Sequence, residues 1–198
     1  DLSNLFGTVK FYKACRSKGI KPIIAADVWL QNNDDRDKPF RALLMCANRA
    51  GYLRLCDLIT RGFRDNRYRD RAEIKPEWLQ TEDNQGLILL SGAHLGDVGQ
   101  ALLAGNTALA EQRAHAWQAA FPHAFYLELQ RTGDATVETC VQASAALAEK
   151  LAIPAVATHP IQFMEPDDFM AHEARTCIAD GYVLADKRRP KNFTQSQY

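Results

Sequence analysis

No excess of either charge marks this sequence: 24 Lys and Arg stand against 24 Asp and Glu over 198 residues, a formal net charge of zero. A chain that gripped DNA by itself would carry a basic surplus, because phosphate binding leans on cationic excess. No C-x-x-C pair occurs among the five cysteines, Cys15, Cys46, Cys56, Cys140 and Cys177. Their scatter argues against a zinc clip or disulfide framework and for reduced thiols, as expected in the cytoplasm. No run of 18 apolar residues is present to cross a membrane, and no signal-peptide pattern opens the chain. Internal repeats, low-complexity tracts and long linkers are missing too, so one domain, or a piece of one, is expected over residues 1–198. The chain starts on Asp1-Leu2-Ser3-Asn4 without Met and trails off in polar residues from Asn192 to Tyr198. Both ends read as cuts through a longer protein.

What is present is ample core material, 46% hydrophobic residues, arranged in alternating short and long segments. Leu5, Val9, Tyr12 and Cys15 recur at helical spacing behind a Ser3 or Asn4 cap and before Gly19. Lys21 to Leu30 and Arg41 to Ala47 read as strands, separated by a charged loop, and Gly51 to Phe63 as an amphipathic helix. An arginine-rich stretch follows, then a helical turn at Pro76 to Leu79. Gly86 to Leu90 has the continuous apolar pattern of a strand buried on both faces. Helices are expected at Asp97 to Leu103, Thr107 to Ala120, Thr136 to Ala152 and Asp167 to Ala179, with strands at Phe125 to Leu129 and Ala155 to Thr158. This alternation predicts an α/β protein with a mostly parallel sheet. Periodicity does not distinguish an open sheet from a closed barrel.

Several segments are specific as a set: Asn4-Leu5-Phe6-Gly7 with Val9-Lys10-Phe11-Tyr12; Gly19-Ile20-Lys21-Pro22-Ile23-Ile24; Ala50-Gly51-Tyr52; Gly86 to Gly92; Gly96-Asp97-Val98; Phe125 to Leu129 with Thr132-Gly133; Ile153 to Thr158; and Asp168-Phe169 through His172-Glu173 to Asp180-Gly181. In order and spacing they resemble the polymerase-and-histidinol-phosphatase (PHP) domain of the bacterial DNA polymerase III alpha subunit, over nearly the whole chain. The resemblance implies a distorted (β/α)7 barrel, here truncated at its N-terminal strand and at the His-x-His segment that supplies several metal ligands. In metal-binding members of the family, His, Asp, Glu and Cys at strand ends hold divalent ions that activate water for phosphoester hydrolysis.

The ligand positions that the resemblance maps onto this chain have largely changed. Leu2 replaces a histidine, Asp27 stands where the family has a glutamate, and a histidine position falls at Arg41. Ala93 replaces a cysteine, and Pro160 and Gln162 occupy the positions of an Asp-x-His pair. Leucine, alanine and proline do not ligate, and arginine repels a cation. No metal and no catalytic residue is therefore expected. The residual candidates for a mononuclear site are Asp27, His94 and His159; the plain alternative makes both histidines half-exposed strand-end residues. Since buried charges need partners, an Asp27–Arg41 ion pair is expected in the vacated site.

Other features have a functional and a plain reading. Arg61, Arg64, Arg67 and Arg69, interleaved with Phe63 and Tyr68, suit nucleic-acid contact, but Asp65 and Asp70 dilute the charge, as on a solvated surface. Glu128 reads as a hydrogen-bonded strand residue, with no second acid spaced to pair with it for acid–base work, and His172 as structural. Gly96-Asp97-Val98-Gly99 lacks the spacing and lysine of a phosphate loop.

The resemblance implies a parent DNA-directed DNA polymerase, a nucleotidyltransferase whose Mg2+-dependent site lies in a downstream domain. This portion is expected to need no cofactor. Its expected role is architectural, in contact with the rest of the alpha subunit and with the proofreading exonuclease subunit, and with DNA only through the parent chain. The alternative is a metal-dependent phosphoesterase or 3′–5′ exonuclease.

Overall fold

The computed structural model describes residues 1–198. Seven helices and seven strands follow in chain order: α1 (Thr8–Ser17), β1 (Ala25–Leu30), β2 (Phe40–Cys46), α2 (Arg49–Asp65), β3 (Arg67–Tyr68), β4 (Arg71–Ile74), α3 (Pro76–Gln80), β5 (Leu87–Leu90), α4 (Asp97–Leu103), α5 (Thr107–Ala120), β6 (Phe125–Gln130), α6 (Ala135–Leu151), β7 (Ala155–Thr158) and α7 (Phe169–Asp180). The strands form one sheet in the order β3-β4-β1-β2-β5-β6-β7.

The sheet is mixed, where a mostly parallel one was expected. Strand β2 runs antiparallel to both β1 and β5, and β3 to β4, while β1–β4, β5–β6 and β6–β7 are parallel. The reason is connection length. A parallel return needs a crossover of about a dozen residues or more, and the segment between β1 and β2 reverses the chain without a helix. The β3–β4 hairpin is also new relative to the sequence reading, whereas Lys21 to Ile24, expected to be strand, is not.

One face of the sheet is dry. In β1 burial alternates, with Ala26, Val28 and Leu30 at 2% exposure or less, the period-two signature of a strand with one covered face. Together with Ala42, Leu44, Leu89, Phe125 and Leu127 these pack on Leu55 and Leu58 of α2, Ala110, Ala114 and Trp117 of α5, and Leu147 of α6. The helices start where polar caps satisfy their free N–H groups: Asn48 accepts from Gly51 N, Asn106 from Leu109 N, and Asp134 from Thr136 and Val137 N. Helix α2 sits so close to the turn before β5 that a Cβ on Gly51 would lie 1.8 Å from the Gly86 carbonyl oxygen. Glycine at 51 is a packing requirement.

Candidate functional site

The opposite face of the sheet carries Asp27 and Trp29 of β1, Arg41 and Leu43 of β2, and Glu128 and Gln130 of β6. Alternation places them there, each being out of phase with the core residues of its own strand. With the loops after β5, β6 and β7, all of these but Trp29 line a cleft of about 950 Å³. Leu2, Asp27, Arg41, His94, His159, Pro160 and Gln162 all reach it. The positions that the resemblance assigned to a former metal site are thus brought together by the fold, with one exception. Ala93 is 5% exposed and does not line the cleft; its backbone turns at φ 48° directly after Gly92 at φ 77°. A side chain on Gly92 would strike the Arg41 carbonyl oxygen at 2.1 Å, so this tight turn at the end of β5 depends on glycine.

The expected ion pair forms, loosely. An Arg41 terminal nitrogen lies 3.5 Å from Asp27 Oδ1, and the guanidinium stacks 4.7 Å over the Trp29 ring. Arg41 Nε is buried without a hydrogen-bond partner. His94 is half-buried, and burial pushes its pKa below the usual imidazole value, against the nearby Asp134 charge that raises it. His159 is exposed. Asp134 is committed elsewhere: the backbone N–H groups of Val137 and Thr136 hold its carboxyl below the ordinary range.

Glu128 is the hydrogen-bonded strand residue that was expected, with a neighbour that was not. It is 4% exposed, and its Oε1 accepts from Thr158 Oγ1 at 2.6 Å and from Gln130 Nε2 at 3.0 Å. Burial drives its carboxyl above the ordinary value, those two hydrogen bonds oppose the shift, and the charge of Asp27 adds to it. A second acid therefore does face Glu128, from a strand about a hundred residues away in the chain, where no sequence spacing reveals it. No three His, Cys, Asp or Glu side chains converge on a common point anywhere in the chain. Leu2 and Pro160 offer the cleft no donor atom, and the one carboxylate nearest the former ligand positions is engaged by a cation.

The remaining candidates lie elsewhere. Arg61 is held by Glu82 at 2.8 Å and stacks 4.2 Å over Trp78, Arg64 pairs with Asp65, and Arg69 pairs with Asp37. Arg67 is exposed on β3 and makes no ion pair. His172 is buried on α7 beside Phe163 and Phe193, its Nδ1 3.2 Å from Arg175. All five cysteines are free thiols. No helix is long and apolar enough to cross a membrane.

Comparison with known proteins agrees with this layout. Residues 1–132 match the family model described as "PHP domain". Over its full length the chain is 58% identical to a protein named DNA polymerase III subunit alpha from Neisseria meningitidis serogroup A, of which it covers 18%. It is 45% identical to the protein of that name from Pseudomonas fluorescens and 41% identical to that from Escherichia coli K12, covering 17% of each. The chain thus spans less than a fifth of the length of these curated relatives, and it belongs to the PHP domain family.

Proposed function

We propose that this chain acts as a non-catalytic, architectural PHP domain at the N-terminal end of a replicative DNA polymerase alpha subunit in the cytoplasm, docking the proofreading exonuclease subunit. The observation that carries the reading is the cleft itself. Where the family holds metal ligands, this one presents Leu2, Pro160 and a guanidinium leaning on Asp27. Such a donor set does not fit a cluster of divalent ions, so the domain holds no metal and needs no cofactor. Mg2+ serves the polymerase site of the parent chain, and contact with DNA falls to that parent. Zero net charge and arginines already matched by carboxylates favour a protein partner.

A (β/α)7-type barrel is the architecture proposed for the domain, supported by its seven-stranded sheet and the helices packed on it. Backbone bonds from Ser3 N to Asp27 O and from Asp27 N to Asp1 O run the first residues parallel to β1.

A chelator-treated complex of the whole alpha subunit with the exonuclease subunit tests the reading. Calorimetric affinity should be unchanged by chelation, and elemental analysis should find less than one bound transition metal per PHP domain. Loss of affinity on chelation together with metal-dependent nucleotide release from single-stranded DNA would favour the phosphoesterase alternative, for which Asp27 and Glu128 are the acids in place.

A further inference from the structure

The neutral total charge conceals two unlike parts. Between Asp1 and Asp27 the chain has five bases, Lys10, Lys13, Arg16, Lys18 and Lys21, and no acid, so the remaining residues carry five more acids than bases. All five are exposed and none takes part in an ion pair, in contrast to Arg61, Arg64 and Arg69, each of which a carboxylate holds. Lys10, Lys13 and Arg16 recur every third residue of α1 and so form one slanting stripe along it. Lys18 stands at its C-terminal cap, and Lys21 lies just beyond Gly19.

Helix formation alone does not select such a stripe. Like charges this close along a helix repel, and Lys10 stands in the first turn, where the helix dipole disfavours a cation. The dipole accounts for Arg16 and Lys18 at the opposite end, but not for Lys10 or Lys13. Nor is this a face turned to the core: α1 has no buried residue, and an unpaired cation is costly to bury. Aromatic rings accompany the charges. Phe11 and Tyr12 lie within the span of the stripe, 49% and 48% exposed, and Tyr12 is one helical turn before Arg16.

We propose that α1 is a contact surface for single-stranded nucleic acid, in which the five cations meet phosphates while Phe11 and Tyr12 offer their faces to bases. An acidic peptide or an anionic lipid answers the cations but brings no flat ring; every nucleotide brings a phosphate and a flat base together. Five cations make a modest contact. On the reading of the chain as part of a polymerase alpha subunit, α1 guides a strand that the parent already holds.

Lysine acylation of the whole alpha subunit by a succinimidyl ester, mapped by mass spectrometry, tests this. Oligothymidylate should slow modification of Lys10, Lys13, Lys18 and Lys21 several-fold, and the protection should fade as salt rises, since each phosphate contact releases a counterion. Lys150, paired with Glu111 on α5, should react as before. Polyglutamate and phosphatidylglycerol vesicles of equal charge should protect less. Lys13→Gln with Arg16→Gln should remove the protection at Lys10 and Lys18, and Tyr12→Leu should weaken it about fivefold, the lower end of what one stacked base contributes. Lysines that react slowly with no nucleic acid present, no protection by oligothymidylate, or equal protection by polyglutamate or the vesicles would each overturn the proposal, as would a Tyr12→Leu subunit that behaves like the parent. The footprint on the unaltered subunit decides even where a variant fails to fold. None of these outcomes bears on docking of the exonuclease subunit, which calorimetry reads separately.

Discussion

Two carboxylates on neighbouring strands, Glu73 of β4 and Asp27 of β1, are each met by arginine, yet the two sites have little else in common. Glu73 is 0% exposed; Arg36 reaches one oxygen at 2.9 Å and Arg71 the other at 3.1 Å. Those arginines are themselves held, Arg36 by Asn66 and the Tyr68 ring, and Arg71 by the Arg36 carbonyl. Asp27 is half-exposed, with one 3.5 Å contact to an arginine that forms no side-chain hydrogen bond. Burial and completeness of hydrogen bonding separate the two. The first site ties the β3–β4 hairpin to the loop after β1 and has a structural task. The second stands where the resemblance places family ligands, and its parts fit one another only approximately.

The largest effect is expected at Glu73. Removing one member of a buried ionic cluster leaves uncompensated charge in a low-dielectric interior, typically costing about 3–5 kcal/mol. Glu73→Ala should lose stability on that scale in chemical denaturation, with the hairpin becoming susceptible to proteolysis after Arg67 and Arg69. A loss below about 1 kcal/mol would place this cluster with ordinary surface pairs and erase the contrast.

A middle-sized effect, visible through pH, belongs to Glu128. Burial raises its folded pKa, so the native state holds that proton more tightly than the unfolded chain does. By linkage, stability then falls as pH rises from the ordinary carboxylate value through the raised one. Glu128→Gln does not ionise and still offers Thr158 an acceptor. The variant should therefore gain on the parent across that window and keep its advantage above it, as read from urea midpoints at a series of pH values. A stability difference that stays flat with pH would show that the carboxyl titrates normally.

These same residues mark how far the sequence could be read. Strands β5, β6 and β7 and helices α2, α4, α5 and α6 were legible because short apolar runs and longer amphipathic segments alternate there, bounded by glycine, proline and polar residues. The β3–β4 hairpin was not. Its buried positions include Glu73, which a hydrophobicity pattern assigns to solvent; Arg71 of its own strand and Arg36, brought from 37 positions away in sequence, make its burial tolerable. Lys21 to Ile24 erred the other way, since an apolar run there contributes a single bond, from Cys46 N to Ile24 O, and Ile23 stays 56% exposed. At the cleft, the resemblance pointed to Leu2, Asp27, Arg41, Pro160 and Gln162, and the need of buried charges for partners anticipated the ion pair. Neither revealed Glu128 facing Asp27, because that depends on distant parts of the chain meeting.

The smallest effect is the one that most sharpens the contrast. For the double-mutant cycle Asp27→Asn with Arg41→Gln, the coupling energy should be under about 1 kcal/mol, the range of partly solvated pairs. The parallel cycle Glu73→Gln with Arg71→Gln should give several-fold more. Asp27→Asn has a second, independent readout. Removing its charge takes away one of the causes that raise the Glu128 carboxyl, so the pH window in which Glu128→Gln gains stability should narrow in the Asp27→Asn background. Cycle energies come from urea denaturation of the four proteins at one pH, and the window from repeating that series across the acidic range. A coupling above about 2 kcal/mol at Asp27–Arg41 exceeds what an exposed pair supplies. It would mean that Arg41 is a structural member of the fold, and the division between a fastened site and a loose one would no longer hold.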